Sequence, residues 1–153
     1  LNDKNLSFES YSFHRRGSDE RQYCHPNVDL PFASLMRSIY GGYEEYHTSG
    51  DNMDLLSPKA LQESFDLYLQ MIEMLEKNRV YKPTTIGEPQ LGKRNLYANL
   101  SNSTLSEDER VRFKILGHAD GQLDLLSLSE IVEEPFDVVS SQVQILVDVG
   151  VLE

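Results

Sequence analysis

The 153-residue sequence has no tryptophan and a single cysteine, Cys24. One thiol excludes an internal disulfide and fits a reducing, cytoplasmic setting. Basic residues are scarce: 14 Lys and Arg stand against 25 Asp and Glu, for a formal net charge of -11. A surface of that sign does not displace counterions from phosphates, which argues against nucleic acid and anionic membranes as partners. No apolar run approaches the roughly 18 residues of a membrane helix. No signal peptide leads the chain, and Leu1 in place of Met sets the expectation that an N-terminal part is missing. What remains is globular in character: 39% hydrophobic and 25% charged residues, with eight Tyr and six Phe to supply a core.

Residues 1–56 read as short strands and loops. Phe8, Tyr11 and Phe13 among polar neighbours predict a strand leading into Arg15-Arg16-Gly17. A loop follows from Gly17 to Pro31, then a second strand from Pro31 to Tyr40 carrying Phe32, Leu35, Met36 and Ile39. Gly41-Gly42 ends it. The clearest helix runs from Pro58 to Lys77, with Ser57 as N-cap and Pro58 at the first helical position. Leu61, Phe65, Leu69 or Tyr68, Ile72 and Leu75 form its apolar stripe. Lys77 suits the negative end of the helix dipole, and Asn78 closes the helix.

Residues 83–104 hold Pro83, Gly87, Pro89 and Gly92 and read as a linker or extended arm. Residues 105–153 read as a separate module. Ser106 caps a helix with Val111, Phe113, Ile115 and Leu116 as its apolar positions. After a turn at Asp120-Gly121, Ser127 or Ser129 caps a short helix through Ile131-Val132. Pro135 opens a third helix with Val138, Val139, Val143, Leu146 and Val147 inward. It stops at Gly150, and Val151-Leu152 begins a strand. Three helices and a strand in that order match a winged helix. From Glu107 to Glu153 there are eleven acidic and three basic residues, and the third helix has no Lys or Arg. An interaction or structural role therefore suits this module better than reading DNA.

Candidate chemistry centres on Tyr46-His47-Thr48-Ser49-Gly50-Asp51, which lies ahead of the Pro58 helix. A histidine in such a loop can offer a ring nitrogen to a metal, with the Asp four residues on orienting it. Read from the residues alone, an ordinary polar loop residue is the commoner case, because a zinc site needs three or four ligands and no other cluster is visible. Arg15, Arg16, Arg21 and Arg37 could hold a carboxylate, although pairing with surface acids is the commoner fate of such residues. Cys24-His25 raises the possibility of a thiol activated by imidazole. Adjacent residues usually point apart, and a small buried cysteine is the simpler reading. His14 and His118 read as solvent-facing, and the four methionines as core filling.

Gly17-Ser18-Asp19-Glu20-Arg21-Gln22-Tyr23-Cys24, Leu30-Pro31, Ser34-Leu35-Met36-Arg37, Glu45-Tyr46-His47-Thr48-Ser49 with Asp51, and Gly87-Glu88-Pro89-Gln90-Leu91-Gly92 resemble a bacterial aminopeptidase-like family. That family belongs with the cocatalytic zinc aminopeptidases and glutaminyl cyclases, and its peptidase-like domain is followed by a winged helix. The resemblance covers residues 8–97. It implies that His47 is the last zinc ligand and that Tyr46 donates to the oxyanion of the tetrahedral intermediate. It implies a structural, ligand-orienting role for Asp51. Wider relatives often have Ser-Asp-His where this chain has Ser18-Asp19-Glu20, so no role passes to Glu20. The remaining ligands and the general-base Glu would lie upstream of this sequence.

The resulting expectation is an α/β fold for residues 1–82, the C-terminal portion of a mixed-sheet zinc-exopeptidase-like domain. The linker 83–104 and the winged helix 105–153 follow. The parent protein would be a zinc-dependent, cytoplasmic hydrolase acting on a peptide or amide substrate. This chain alone is expected neither to retain zinc nor to turn over peptides. The competing expectation is an acidic winged-helix assembly module without catalysis, docking on its own polypeptide or forming a homo-oligomer.

Overall fold

A computed structural model describes residues 6–15, 17–96 and 105–153. Among them are five α-helices: α1 (Glu20–Tyr23), α2 (Pro58–Lys77), α3 (Glu107–His118), α4 (Leu125–Val132) and α5 (Phe136–Asp148). Short 3₁₀ turns lie at Phe13–Arg15, Met53–Leu55 and Leu91–Arg94. The chain divides into two compact units, one ending at Asp66 and the other beginning at Leu67.

The first unit overturns the α/β expectation. Among the described residues there is no strand and no sheet, and the protein is helical. The physical reason is local. A strand needs a neighbour to accept its N–H groups, and between residues 12 and 42 the backbone bonds close within seven positions instead. Arg15 N donates to Ser12 O, Phe32 N to Leu30 O and Gly42 N to Ile39 O, all at 2.8–2.9 Å. The aromatic residues that suggested strands, Phe8, Tyr11 and Phe32, are all exposed. From Leu6 to Gln90 no described residue is buried.

Helix α2 begins where its sequence says it should. Ser57 O accepts from Leu61 N, and the Ser57 hydroxyl accepts from Ala60 N at 3.4 Å. The apolar face that packs is not the expected one. Ala60, Ser64, Leu67, Met71 and Met74 are the half-buried row, whereas Leu61, Phe65, Leu69, Ile72 and Leu75 are 45–63% exposed.

The second unit has an apolar core. Val111, Ile115, Leu125, Leu128, Phe136, Val139, Val143 and Leu146 are all at most 1% exposed, and helices α3, α4 and α5 pack on one another. Ser106 and Glu109 form a reciprocal capping box at the start of α3. Helix α4 is capped by Asp124, which accepts from Ser127 N at 2.8 Å, in place of the expected Ser127 or Ser129. Its carboxylate also accepts from the Asn78 amide at 2.9 Å, and these bonds hold its pKa down, the Ser127 hydroxyl contributing most. The expected strand at Val151-Leu152 is reduced to one antiparallel bridge between Leu152 and Pro83. Residues 79–84 run beside both the 121–125 turn and this C-terminus: Leu125 N donates to Arg79 O, and Lys82 and Glu153 exchange N–H···O bonds at 3.0 Å. Three helices with this short ribbon make a winged-helix module.

Of the span read as a linker, residues 97–104 lie outside the described residues. Within 83–96, Leu91 and Leu96 are buried in the core of the second unit, and Arg94 Nε donates to Val149 O at 3.3 Å.

Candidate functional site

The loop from Tyr43 to Asp51 is a chain of overlapping turns. Tyr46 N donates to Tyr43 O, Thr48 N to Glu45 O and Asp51 N to Thr48 O. The Thr48 hydroxyl donates to Glu45 O at 2.8 Å and accepts from Gly50 N at 3.1 Å. His47, between these turns, has φ +60°, a left-handed conformation that histidine adopts more readily than most residues yet that still costs free energy.

That backbone lays the His47 ring against the Tyr46 ring, with centroids 4.1 Å apart and planes 28° from parallel. Tyr43 meets Tyr46 edge-on at 5.5 Å. Partial burial raises the Tyr43 phenol pKa, and the nearby acidic groups of Asp51, Tyr46 and Glu45 push it the same way. A phenol with a raised pKa stays protonated and keeps its capacity to donate. Tyr43 was not singled out from sequence. Its position three residues before Tyr46, one turn away, was the available signal.

His47 itself is exposed. Among the described residues no group of three or more His, Cys, Asp or Glu side chains converges to hold a metal. A zinc site draws on three or four ligands, so His47 and Asp51 alone do not fit one.

Glu20 is the second residue that sequence reasoning passed over. Its carboxylate accepts from Gly17 N at 2.8 Å, Ser18 N at 3.2 Å, the Ser34 hydroxyl at 3.0 Å and the Tyr40 hydroxyl at 3.5 Å. The Gly17 bond is the largest of the causes that bring its pKa down from 4.5 to about 2. The carboxylate staples the start of the 17–40 segment to its end. Gly17 is required beside it, because a Cβ there would lie 2.6 Å from the Tyr40 ring. The spacing Gly17-x-x-Glu20, a backbone N–H answered by a Glu three residues on, follows capping-box logic and was readable.

The other candidates resolve into structural contacts. The Cys24 thiol lies 3.0 Å from Phe32 O and donates to it, while the His25 ring accepts from Asn27 N, so the thiol–imidazole pair does not form. The thiol is half-buried. Arg37 bonds Glu63 and Ala60 O, and Arg15 lies over the Tyr11 ring at 4.5 Å. Arg16 is outside the described residues. His14 and His118 are exposed.

In the second unit two cations of α3 are engaged internally. Lys114 pairs with Glu134 at 2.6 Å and donates to Val132 O, and Arg112 bonds Gln142 and Leu96 O.

Comparison with known proteins separates the same two parts. Residues 1–78 match a family described as a domain of unknown function, DUF4910, and residues 79–153 match a winged helix-turn-helix family. The chain belongs to the DUF4910 family. It is 42% identical over 117 residues to a Clostridium acetobutylicum protein named "Putative polysaccharide biosynthesis protein with aminopeptidase-like domain". That match covers 74% of this chain and 26% of the relative. A crystal structure named as that of a "putative peptidase" from Clostridium acetobutylicum matches with a TM-score of 0.77 at 35% identity, over 92% of this chain and 31% of that one. The chain thus spans about a quarter to a third of the relatives it matches. No helix among the described residues is long and apolar enough to cross a membrane.

Proposed function

We propose that this chain is one part of an aminopeptidase-like hydrolase, a portion that carries an edge of the catalytic site and ends in a winged helix. The observation that carries the reading is the Tyr46–His47 stack, a phenol and an imidazole held face to face by a left-handed backbone in a loop without a core of its own. The names of the two relatives support the peptidase class. The zinc-exopeptidase resemblance of the Glu45-Tyr46-His47-Thr48-Ser49 motif supports the finer assignment.

In this reading the Tyr46 hydroxyl donates to the oxyanion that forms as an amide carbonyl becomes tetrahedral. His47 would be one ligand of a zinc ion whose other ligands come from outside this chain, and Asp51 would help fix the loop. The 153 residues by themselves neither hold zinc firmly nor hydrolyse amides. The protein works in the cytoplasm on peptide or amide substrates. The winged helix serves assembly, since its presenting helix α5 carries Asp137 and Asp148 and no Lys or Arg.

Replacing Tyr46 with Phe in the longest polypeptide that contains these residues tests the catalytic role. Removing one oxyanion donor is expected to lower kcat by about 10²–10³-fold with KM little changed, measured on aminoacyl anilides. Unchanged turnover in Tyr46→Phe refutes the assignment.

A further inference from the structure

Helix α2 is apolar on two faces. The row Ala60, Ser64, Leu67, Met71 and Met74 is half-buried within this chain. A second row, Leu61, Phe65, Leu69, Ile72 and Leu75, lies about a third of a turn away around the axis, by the 3.6-residue repeat. Its members are 58%, 62%, 45%, 55% and 63% exposed. Gln62, Asp66, Gln70 and Glu73, with Lys59, Glu63 and Lys77, fill the arc that remains, and Glu76 is the one charged residue inside the second row. A surface helix of a finished domain has one apolar stripe, whereas a helix apolar over more than half its circumference is packed on both sides.

We infer that the Leu61–Leu75 row of α2 is an internal docking surface, covered by the rest of a longer polypeptide to which this chain is joined. Two observations select that occupant. The solved relative holds this same fold, at a TM-score of 0.77 over 92% of the chain, inside a polypeptide of which it makes up only 31%. In that relative the fold is accompanied by a body about twice the size of this chain. A second copy is the rival occupant, and charge opposes it. Each chain carries -11, so two copies repel, and the row itself carries Glu76 with Glu73 beside it. The inference rests on the reading of the chain as part of a hydrolase only in that both call for a longer polypeptide. It requires neither zinc nor catalysis.

Hydroxyl-radical footprinting of residues 58–77 tests it, run on the 153-residue chain and on the longest polypeptide its reading frame encodes. Phe65 and Ile72 are expected to be modified at least tenfold more slowly in the longer protein. Ile72→Glu in that protein is expected to restore fast modification of Phe65 while α3–α5 keep their circular dichroism. Equal modification in the two proteins overturns the inference. So does a reading frame that adds nothing to these residues, or a dimer of the short chain that Ile72→Glu dissociates. Protection without amide turnover leaves this surface standing and removes the hydrolase, whereas turnover with a freely modified Phe65 does the reverse.

Discussion

The two parts of this molecule are held together by different physics. Helices α3–α5 close on an apolar core in which Ile115, Val139 and Leu146 are 0% exposed. No described residue from 6 to 66 is buried, and their order comes from turns, the Glu20 staple and stacked rings. A unit of the first kind specifies itself. The second kind has polar connections that fix local geometry while its apolar side chains, Phe8, Phe32 and Phe65 among them, still face solvent. The difference teaches that a chain can carry a domain with its own core and a turn-built segment without one in succession. The candidate chemistry sits on the segment without a core.

The sharpest way to break this contrast is to empty the core. Phe136→Ala is expected to destabilise the winged helix by about 3–5 kcal/mol, enough to abolish its cooperative melt. Phe65→Ala, with an equally large ring, is expected to change that melt by no more than about 0.5 kcal/mol, because the residue is 62% exposed. Near-equal effects would show that the two regions share one core.

A smaller effect is expected at the cap of α4. Asp124→Ala should cost about 1–2 kcal/mol through loss of the Ser127 and Asn78 bonds, read by thermal denaturation. The folded carboxyl has a lowered pKa, so its contribution is present above its ordinary value of 3.8 and is lost as pH falls through the lower folded value. An Asp124→Asn variant should flatten that acid limb.

The smallest effect on global stability is expected at Glu20, and it is local. Glu20→Gln should leave the α3–α5 melt unchanged and speed amide exchange at Gly17 and Ser18. The Glu20 pKa is depressed from 4.5 to about 2, so the staple holds above the first value and releases as pH falls through the second. Exchange at Gly17 that accelerates already at pH 5 would contradict this.

The sequence announced the second unit well because every level agreed. Val111, Ile115, Val139, Val143 and Leu146 fall on helical spacing and are all buried, and Ser106 with Glu109 makes the capping box. Its one misplaced cap came from choosing Ser127 or Ser129 over Asp124, whose carboxylate reaches the N–H three positions on. In the other unit the levels disagree. Phe8, Tyr11 and Phe13 sit among polar residues as in a strand, but such a pattern makes a strand only where a neighbouring strand exists. The limits of α2 were readable from Ser57, Pro58 and Lys77. Its packed face was not, because periodicity cannot say which of two apolar rows a chain will use itself. The Tyr46–His47–Asp51 loop was found through its motif and family resemblance. The ring stack and the Tyr43 edge contact depend on a left-handed turn at His47 that no spacing rule signals.

The proposed role of the Tyr46–His47 loop is to supply one corner of a metal-dependent hydrolytic site. Zinc content decides it most directly, measured by mass spectrometry on the longest polypeptide containing these residues, after dialysis, with and without His47→Ala. The account predicts zinc retained by the parent and at least tenfold weaker zinc binding in the variant. Equal zinc in both proteins, or none in the parent, would contradict it.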